Sequence, residues 1–253
     1  MISYVSLASP LEQFELTMLF PCIFYGFNIS ITNVTLFLIC ISTLLILFFK
    51  LSLYKANILP SNWLLSTEFH YDVISTLIKE NLGYSKAVYF PFIFSIYIFL
   101  LFCNLVGMIP YSFTLTSHIA FTFGLSLFIF IGINIIGVQT HGFKFFALFL
   151  PRGVPLIIIP LLVTIEFLSY IVKVFTLSIR LFANMTSGHT LLKIIAGFAW
   201  TMLSAGGILT LLYVIPLSLL FILIGLEFAI AGLQAYVFTL LTCIYLKDVL
   251  DFH

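Results

Sequence analysis

The sequence has few charged residues, which make up only 8% of its 253 residues, whereas hydrophobic residues make up 62%. About a quarter of the residues in an ordinary soluble domain are charged, so this scarcity excludes a soluble domain. The formal net charge is only +1, which excludes a basic face for nucleic acid and predicts no nucleic-acid partner. We therefore expect an all-α polytopic membrane protein in which residues 1–253 form a single membrane domain.

Cysteine is also scarce, and its four positions (Cys22, Cys40, Cys103 and Cys243) lie far apart with no C-x-x-C spacing. This spacing excludes a disulfide framework, and we expect no metal and no cofactor. The sequence also lacks a glycine-rich phosphate-binding loop, so we expect no nucleotide site. The N-terminus has neither the basic region of a secretory signal nor the arginine-rich pattern of an import peptide. We therefore expect a bacterial chain or one made inside an organelle.

Long uncharged stretches alternate with short charged ones, which predicts five membrane crossings and one amphipathic surface helix. The surface helix is predicted where Glu68, Asp72 and Lys79 alternate with apolar residues, with a stop near Asn81-Leu82-Gly83. The predicted segments are an N-terminal arm at 1–31, a first span at 32–49, the amphipathic segment at 61–86, a two-span hairpin at 89–138 and a long helical hairpin at 155–246. Within the two-span hairpin, the spans are predicted at 89–109 and 119–138, with a turn at 110–117.

The final hairpin is predicted to contain helices at 155–199 and 208–246, with Ala205-Gly206-Gly207 at the turn. Each helix is nearer forty residues than twenty, so we expect both to be tilted in the membrane. Pro160 and Pro216 are expected in first turns or at kinks. The positive-inside rule places the N-terminus outside and the C-terminus inside, because basic residues follow or precede the predicted spans on one side: Lys50, Lys55, His141, Lys144, Arg152 and Lys247.

Arg180 lies far from both ends of the last apolar region, and its guanidinium remains protonated at any biological pH. Such a charge at a membrane-helix centre costs about 2.5–3.5 kcal/mol. Snorkelling to the interface is one interpretation, but the depth of Arg180 favours a charge that faces protein or a water-filled cavity. Residues seven apart share nearly the same helix face, so the polar residues of this helix form one stripe: Glu166, Lys173, Arg180, Asn184 and Ser187.

The second long helix carries one membrane-embedded charge, Glu227, with Gln234 seven residues later on the same face. We interpret Glu227 as a proton-transfer group, the alternative being a neutral, hydrogen-bonded structural carboxyl. Gly225, Ala229 and Gly232 predict a close-packing face of small residues on this helix.

Antiparallel pairing of the two long helices sets the relative depths of their polar groups. If Arg180 and Gln234 lie at one depth, His189 lies about 13 Å and Glu227 about 10 Å towards the outside. Glu166 then lies about 21 Å towards the inside. Titratable groups on both sides of a permanent cation indicate two proton-access routes separated by a charge barrier. An ion pair between His189 and Glu227 that only holds the helices together is the alternative.

Several motifs resemble subunit a of the rotary F-type ATP synthase. They are S-I-R-L-F-A-N-M-T-S-G-H at 178–189 with Glu166 fourteen residues upstream, L-Q-A-Y at 233–236, L-L-T-C-I-Y-L-K at 240–247, N-L-V-G-M-I-P at 104–110 and S-P-L-E-Q-F-E at 9–15. The resemblance covers essentially the whole chain. His189 on the first long helix and Glu227 on the second are similar to the mitochondrial arrangement, whereas bacterial members tend to carry Glu and then His.

The resemblance implies a non-catalytic stator subunit of the mitochondrial inner membrane that couples proton flow to rotation. The implied partners are a ring of c subunits, other stator and peripheral-stalk subunits, and membrane lipids. Arg180 is then expected to face the ring carboxylates and to separate two offset half-channels. The implied proton-path residues are Arg180, Glu166, Asn184, His189, Glu227 and Gln234, with Lys173, Ser187 and Lys193 as accessory residues.

Two other functions fit a membrane protein of this size. A secondary transporter or antiporter favours internal repeats, and the sequence shows no repeated half. A haem-binding subunit needs axial ligands, but among the five histidines only His189 is clearly placed inside the membrane. Lys173 and Lys193 are compatible both with tuning the half-channels and with snorkelling. His118 and Asn104 are interpreted as turn or packing residues in preference to relay members.

Overall fold

The computed structural model describes residues 12–21, 23–24, 27–28, 30–54, 60–109, 112–142, 145, 158–207 and 209–250. The described part is built mainly from helices. They are α1 (Asn33–Leu53), α2 (Asn62–Asn81), α3 (Phe90–Gly107), α4 (Ile119–His141), α5 (Ile159–Ala205), α6 (Leu209–Leu212) and α7 (Val214–Leu250). Short 3₁₀ segments occur at Glu12–Phe14, Tyr84–Tyr89 and Leu115–Ser117.

The predicted fold class is confirmed. Five described helices are long and apolar enough to cross a membrane, namely α1, α3 with its preceding 3₁₀ turn, α4, α5 and α7. The five long helices begin at or a few residues after the predicted starts, and all of them except α3 end a few residues beyond the predicted ends, as fraying and capping usually allow. At about 1.5 Å per residue, α5 and α7 are about 70 and 55 Å long, well beyond the hydrocarbon thickness of a bilayer.

The helix boundaries follow local signals in the sequence. α2 ends at Asn81, and Gly83 follows with a φ of 81° that few other residues adopt readily. α5 ends at Ala205, and Gly206 and Gly207 have φ angles of 73° and 68°, which confirms the predicted turn. Pro160 and Pro216 lie in the first turns of α5 and α7, where a missing N–H costs no helical hydrogen bond.

The N-terminal arm contains β structure that the sequence analysis did not predict. β1 (Met18–Phe20) pairs antiparallel with β4 (Ile31–Thr32), and β2 (Ile23–Phe24) pairs with β3 (Phe27–Asn28) between them. The aromatic and β-branched residues of this arm favour extended backbone. Several residues used in the sequence analysis lie outside the described residues: Cys22, Lys55, Pro110, Lys144, Arg152, Pro155 and Ile208.

The core lies where α3, α4, α5 and α7 meet, and α2 packs against it through α3 and α7. α3 packs on α7, α4 on α5, and α5 on α7. Leu100, Leu181, Phe238 and Leu246 are almost completely buried in this core. α2 is amphipathic as predicted, because it buries Ile74, Leu77 and Ile78 and leaves Glu68 and Asp72 exposed. This core fixes α5 against α7, the two helices that carry the candidate site.

Candidate functional site

The predicted polar stripe of α5 lies along the edge of the packed face of this helix, next to α7. Glu166, Arg180, Asn184 and Ser187 are exposed, and Lys173 is half-buried. The neighbouring face of α5 buries an apolar row that packs on α4 and α7, consisting of Tyr170, Val174, Leu177, Leu181 and Met185. The apolar row therefore determines the rotation of α5, and that rotation presents the polar stripe to whatever covers this face.

Arg180 lies between two almost fully buried leucines, Leu177 and Leu181, yet its own side chain is exposed. Among the described residues, no carboxylate forms an ion pair with Arg180. The guanidinium retains its charge in any environment. The charge is therefore available to a group that approaches the exposed face of α5.

Asn184 and Gln234 form a direct contact between α5 and α7. The Asn184 side-chain amide donates a hydrogen bond of 2.9 Å to Gln234 Oε1, and Gln234 is only 2% exposed. The register assumed in the sequence analysis, with Arg180 level with Gln234, is therefore wrong by about one helical turn. The counting used Cα positions along ideal parallel axes, whereas side-chain direction and helix crossing decide which residues meet.

Glu227 and His189 lie together at one cavity between α5 and α7, as the antiparallel pairing predicted. The cavity has a volume of about 200 Å³, and its polar lining consists of Asn184, Ser187, His189 and Glu227. Glu227 is only 9% exposed. His189 Nε2 and Glu227 Oε2 are both buried without a hydrogen-bond partner in the described protein.

His189 and Glu227 therefore line one cavity without a direct polar bond between them. They form neither a hydrogen bond nor an ion pair within the described structure, which contradicts the structural ion-pair alternative. The volume of the cavity is sufficient for several water molecules, and its polar lining offers them hydrogen-bond partners.

Gly188 explains how the Glu227 carboxyl reaches the surface of α5. A Cβ added at Gly188 would lie 2.7 Å from Glu227 Oε1 and 3.0 Å from its carboxyl carbon. The carboxyl group therefore rests directly on the bare backbone of α5. Sequence analysis read Gly188 only as part of a motif, although it immediately precedes His189.

The predicted close-packing face of Gly225, Ala229 and Gly232 packs against no other helix in the described part of the chain. No described atom lies within 4 Å of a Cβ added at Gly225 or Gly232. Small residues permit close approach but do not by themselves select the partner helix. In this chain the close approach between α5 and α7 occurs at Gly188.

The base of the hairpin, far from its turn, contains an ion pair that sequence analysis missed. Lys173 Nζ lies 3.1 Å from Asp248 Oδ2, and the same ammonium lies 5.1 Å from the centroid of the Tyr245 ring and 5.7 Å from that of Tyr170. The spacing of the sequence could have indicated Asp248. Glu227 and Gln234 are seven residues apart, and two further steps of seven residues reach Asp248 on the same helix face. Glu166 lies on the exposed face of α5, seven residues before Lys173.

Polar side chains connect the remaining membrane helices to α5 and α7. The Asn104 amide donates to the Ala231 carbonyl oxygen over 3.1 Å, so Asn104 is a packing residue as interpreted. The Tyr170 hydroxyl donates to Asn134 Oδ1 over 2.8 Å and joins α5 to α4. Such bonds in a membrane contribute about 0.6 kcal/mol on average.

His118 and Lys193 complete the set of residues singled out by the sequence. His118 lies at the start of α4, as a turn residue, and stacks on Phe113 with ring centroids 4.7 Å apart. Burial lowers the pKa of His118 from its usual 6.5, which favours the neutral imidazole. Lys193 is half-buried on α5, one turn beyond His189. Within the described residues, no three His, Cys, Asp or Glu side chains are grouped to hold a metal ion.

The chain is similar to known proteins over nearly its full length. A family model for the ATP synthase A chain matches residues 34–247. ATP synthase subunit a of Chondrus crispus is 67% identical over 253 residues, covering 100% of both chains. Subunit a of Marchantia polymorpha is 50% identical over 97% of this chain and 99% of its own, and that of Pelagibacter ubique is 47% identical over 97% and 98%. The chain therefore belongs to the ATP synthase A chain family and is a polytopic membrane subunit of an ATP synthase, with a part in proton transport and ATP synthesis.

Proposed function

We propose that this chain supplies two offset proton half-channels to a ring of c subunits, and that Arg180 separates the two. The observation that carries the proposal is the arrangement around Arg180 on the exposed face of α5. Towards the turn of the hairpin lies the cavity with His189 and Glu227, and towards its base lie Glu166 and the Lys173–Asp248 pair. No other part of the described chain places titratable groups on both sides of a fixed membrane charge.

Arg180 acts on the ring through its permanent charge. An ionised ring carboxylate is costly in lipid, but a fixed guanidinium on the facing helix stabilises it. The exposed position of Arg180 suits this role, since a charge buried within the chain would not reach a rotor carboxylate. The same charge repels a proton that would pass directly between the half-channels. Each proton that crosses contributes about 2.3 kcal/mol per 100 mV.

The outer half-channel leads through the cavity between α5 and α7. Glu227 and His189 exchange protons there through intervening water, because their side chains share the cavity without a direct bond. Asn184 lines the cavity and also bonds to Gln234, so it connects the relay to the turn of α5 that carries Arg180. Ser187 and Lys193 lie beside this route as accessory residues.

The inner half-channel is formed by Glu166 with the Lys173–Asp248 pair. Glu166 is exposed on the stripe and accepts the proton released by the ring. Lys173 is held by Asp248 and by the faces of two tyrosines, so its charge is neutralised close to the exit route. Lys173 therefore tunes this route in our proposal, and the snorkelling alternative is replaced by a defined ion pair.

The location and partners follow from the same proposal. The chain is placed in the mitochondrial inner membrane, with the N-terminus in the intermembrane space and the C-terminus in the matrix. It acts as one membrane domain whose α5–α7 hairpin contacts the c ring, while the other helices contact stator and peripheral-stalk subunits and lipids. The many exposed apolar side chains on α1, α5 and α7 support contacts with lipid or other subunits.

The proposal is tested by removing the charge of Arg180. We expect Arg180→Ala to abolish proton-driven ATP synthesis in membrane vesicles while the complex still assembles. Arg180→Lys is also expected to fail, because an ammonium is a compact charge that loses its proton more readily when desolvated. Lys247→Ala, which removes an exposed positive charge at the end of α7, is the matched control and is expected to keep normal synthesis. Normal synthesis by Arg180→Ala would refute the proposal.

The sidedness of the half-channels is tested separately by cysteine labelling. In a background without the four native cysteines, thiols at positions 189 and 227 are expected to react with an impermeant reagent added outside. A thiol at position 166 is expected to react with reagent added inside. Labelling of position 227 only from the inside would overturn both the topology and the assignment of the two routes.

A further inference from the structure

Gly188 contacts a carboxyl group so closely that the site has no room for a Cβ. An added Cβ would lie 2.7 Å from Glu227 Oε1, 3.0 Å from Cδ and 3.3 Å from Cγ. Real Cβ atoms essentially never approach another heavy atom more closely than 3.0 Å, so any side chain at position 188 displaces the carboxyl group. Gly124 on α4 has no described atom within 4 Å of its added Cβ, and Gly132 has one ordinary contact at 3.8 Å.

We propose that Gly188 is a positioning residue for Glu227, and this inference rests on the relay proposed above. The bare backbone at Gly188 lets the Glu227 carboxyl lie flat on α5, directly beside the residue that carries the His189 imidazole. Any larger residue at position 188 would push the carboxyl away from α5 and change its separation from His189. Gly188 thus determines the position of the carboxyl group that takes part in proton transfer, although Gly188 itself carries no proton.

The geometry separates this role from ordinary packing. The atoms in closest contact are the carboxyl oxygen and carbon of Glu227, at the free end of a flexible side chain. Moving them needs no shift of either helix backbone, so the fold tolerates a methyl group at position 188. Alanine also favours a helix over glycine by about 1 kcal/mol. Gly188→Ala is therefore expected to preserve the helix and the assembled complex, and to disturb only the position of the carboxyl.

The consequence for proton transfer is large compared with the cost to the fold. Proton transfer requires the donor and acceptor within hydrogen-bond reach, directly or through one water. A misplacement of about 1 Å can reduce a reaction rate by up to a hundredfold. The contact at 2.7 Å requires a displacement of that order when a methyl group is added.

The inference is tested by a double-mutant cycle in the complete ATP synthase in membrane vesicles. Gly188→Ala is expected to lower proton-driven ATP synthesis on the order of tenfold, with unchanged amounts of assembled complex on a native gel. In a Glu227→Asp background, the same substitution at position 188 is expected to have less than about a twofold further effect. Aspartate is one methylene shorter than glutamate, so its carboxyl carbon occupies the position of the Glu227 Cγ. That position is 3.3 Å from the methyl group added at position 188, and the carboxyl group is therefore drawn back from α5.

Gly124→Ala and Gly132→Ala are the matched controls, since both replace a membrane-helix glycine that has room for a methyl group. Both are expected to keep normal synthesis. An equal loss on Gly188→Ala in the Glu227 and Glu227→Asp backgrounds would overturn the inference, as would normal synthesis by Gly188→Ala. Glu227→Ala distinguishes a failure of the proposed relay from a failure of the proposed positioning role of Gly188. If Glu227→Ala is fully active, the relay itself is wrong, whereas if Glu227→Ala is inactive and Gly188→Ala is normal, only the positioning role is wrong.

Discussion

The two ends of the α5–α7 hairpin hold charge in a membrane differently. We propose that the turn end faces outside and the base faces inside, and we name them the outer part and the inner part. In the outer part, Glu227 is buried, shares a cavity with His189 and has no ionic partner among the described residues. In the inner part, Asp248 is paired with Lys173, and both side chains remain partly exposed, at 45% and 28%. The energy of an isolated buried polar group depends strongly on its exact position. The attraction within an exposed ion pair is screened by solvent, so the loss of one partner costs less. Single substitutions are therefore expected to be more damaging in the outer part.

Among substitutions that compare the two parts of the hairpin, the largest effect is expected from removing the buried carboxyl group of Glu227. Glu227→Gln keeps the shape of the side chain but cannot release or take up a proton. We expect proton-driven ATP synthesis to fall on the order of a hundredfold, the usual contribution of one positioned acid or base. Rates in vesicles with equal amounts of assembled complex would measure it. Glu166→Gln on the exposed face is the matched inner variant, and a greater loss there than in Glu227→Gln would reverse the comparison.

An exchange of the two outer residues sharpens this prediction. His189→Glu combined with Glu227→His keeps one titratable group on each helix at the cavity. The double variant is expected to retain measurable proton flux, while either single substitution retains less. A double variant as inactive as Glu227→Gln would show that the identity of each group matters beyond its ability to titrate.

A smaller effect is expected at the contact between Asn184 and Gln234. Gln234→Ala removes the acceptor of the 2.9 Å bond and leaves the Asn184 amide without its partner. The loss of one neutral hydrogen bond corresponds to about 0.5–1.5 kcal/mol, or about a threefold to tenfold slower rate if the bond is needed at the rate-limiting step. Asn184→Ala is expected to have an effect of similar size. A loss as severe as that of Arg180→Ala would show that the amide pair does more than orient neighbouring groups.

The sequence predicted the membrane helices well because uncharged stretches of the required length are physically distinctive. It also placed His189 near Glu227, since antiparallel counting along two long helices accumulates little error over one or two turns. The sequence did not identify Asn184 as the hydrogen-bond partner of Gln234. Asn184 is four residues after Arg180, so both lie on the same face of α5, and the periodicity of the polar residues does not tell which of them is level with Gln234. Asp248 lies beyond the predicted end of the second long helix at residue 246, and only the structure shows that α7 continues to Leu250 and holds this carboxylate against Lys173.

The role of Gly188 was beyond sequence reasoning for a different reason. The small-residue pattern on α7 was visible in the sequence, whereas the single close approach on α5 depends on where one side chain of α7 ends. The β pairing of Met18–Phe20 with Ile31–Thr32 was missed because its strands are only two or three residues long and lie in an uncharged arm. Such short elements leave little periodicity to detect.

The smallest effect is expected at the Lys173–Asp248 pair, and it tests the inner part of the comparison. Lys173→Met and Asp248→Asn each leave the other charge without its partner, although partial exposure lets water solvate it. We expect each single variant to slow ATP synthesis by about twofold to fivefold, in line with the 0.2–1 kcal/mol typical of exposed pairs. The double variant is expected to be no slower than the worse single variant, because it removes both charges together. High salt is expected to weaken the single-variant effects, since exposed charges are screened. A loss of more than about fiftyfold in either single variant would mean that this pair is as position-dependent as Glu227, and that the two halves of the hairpin work alike.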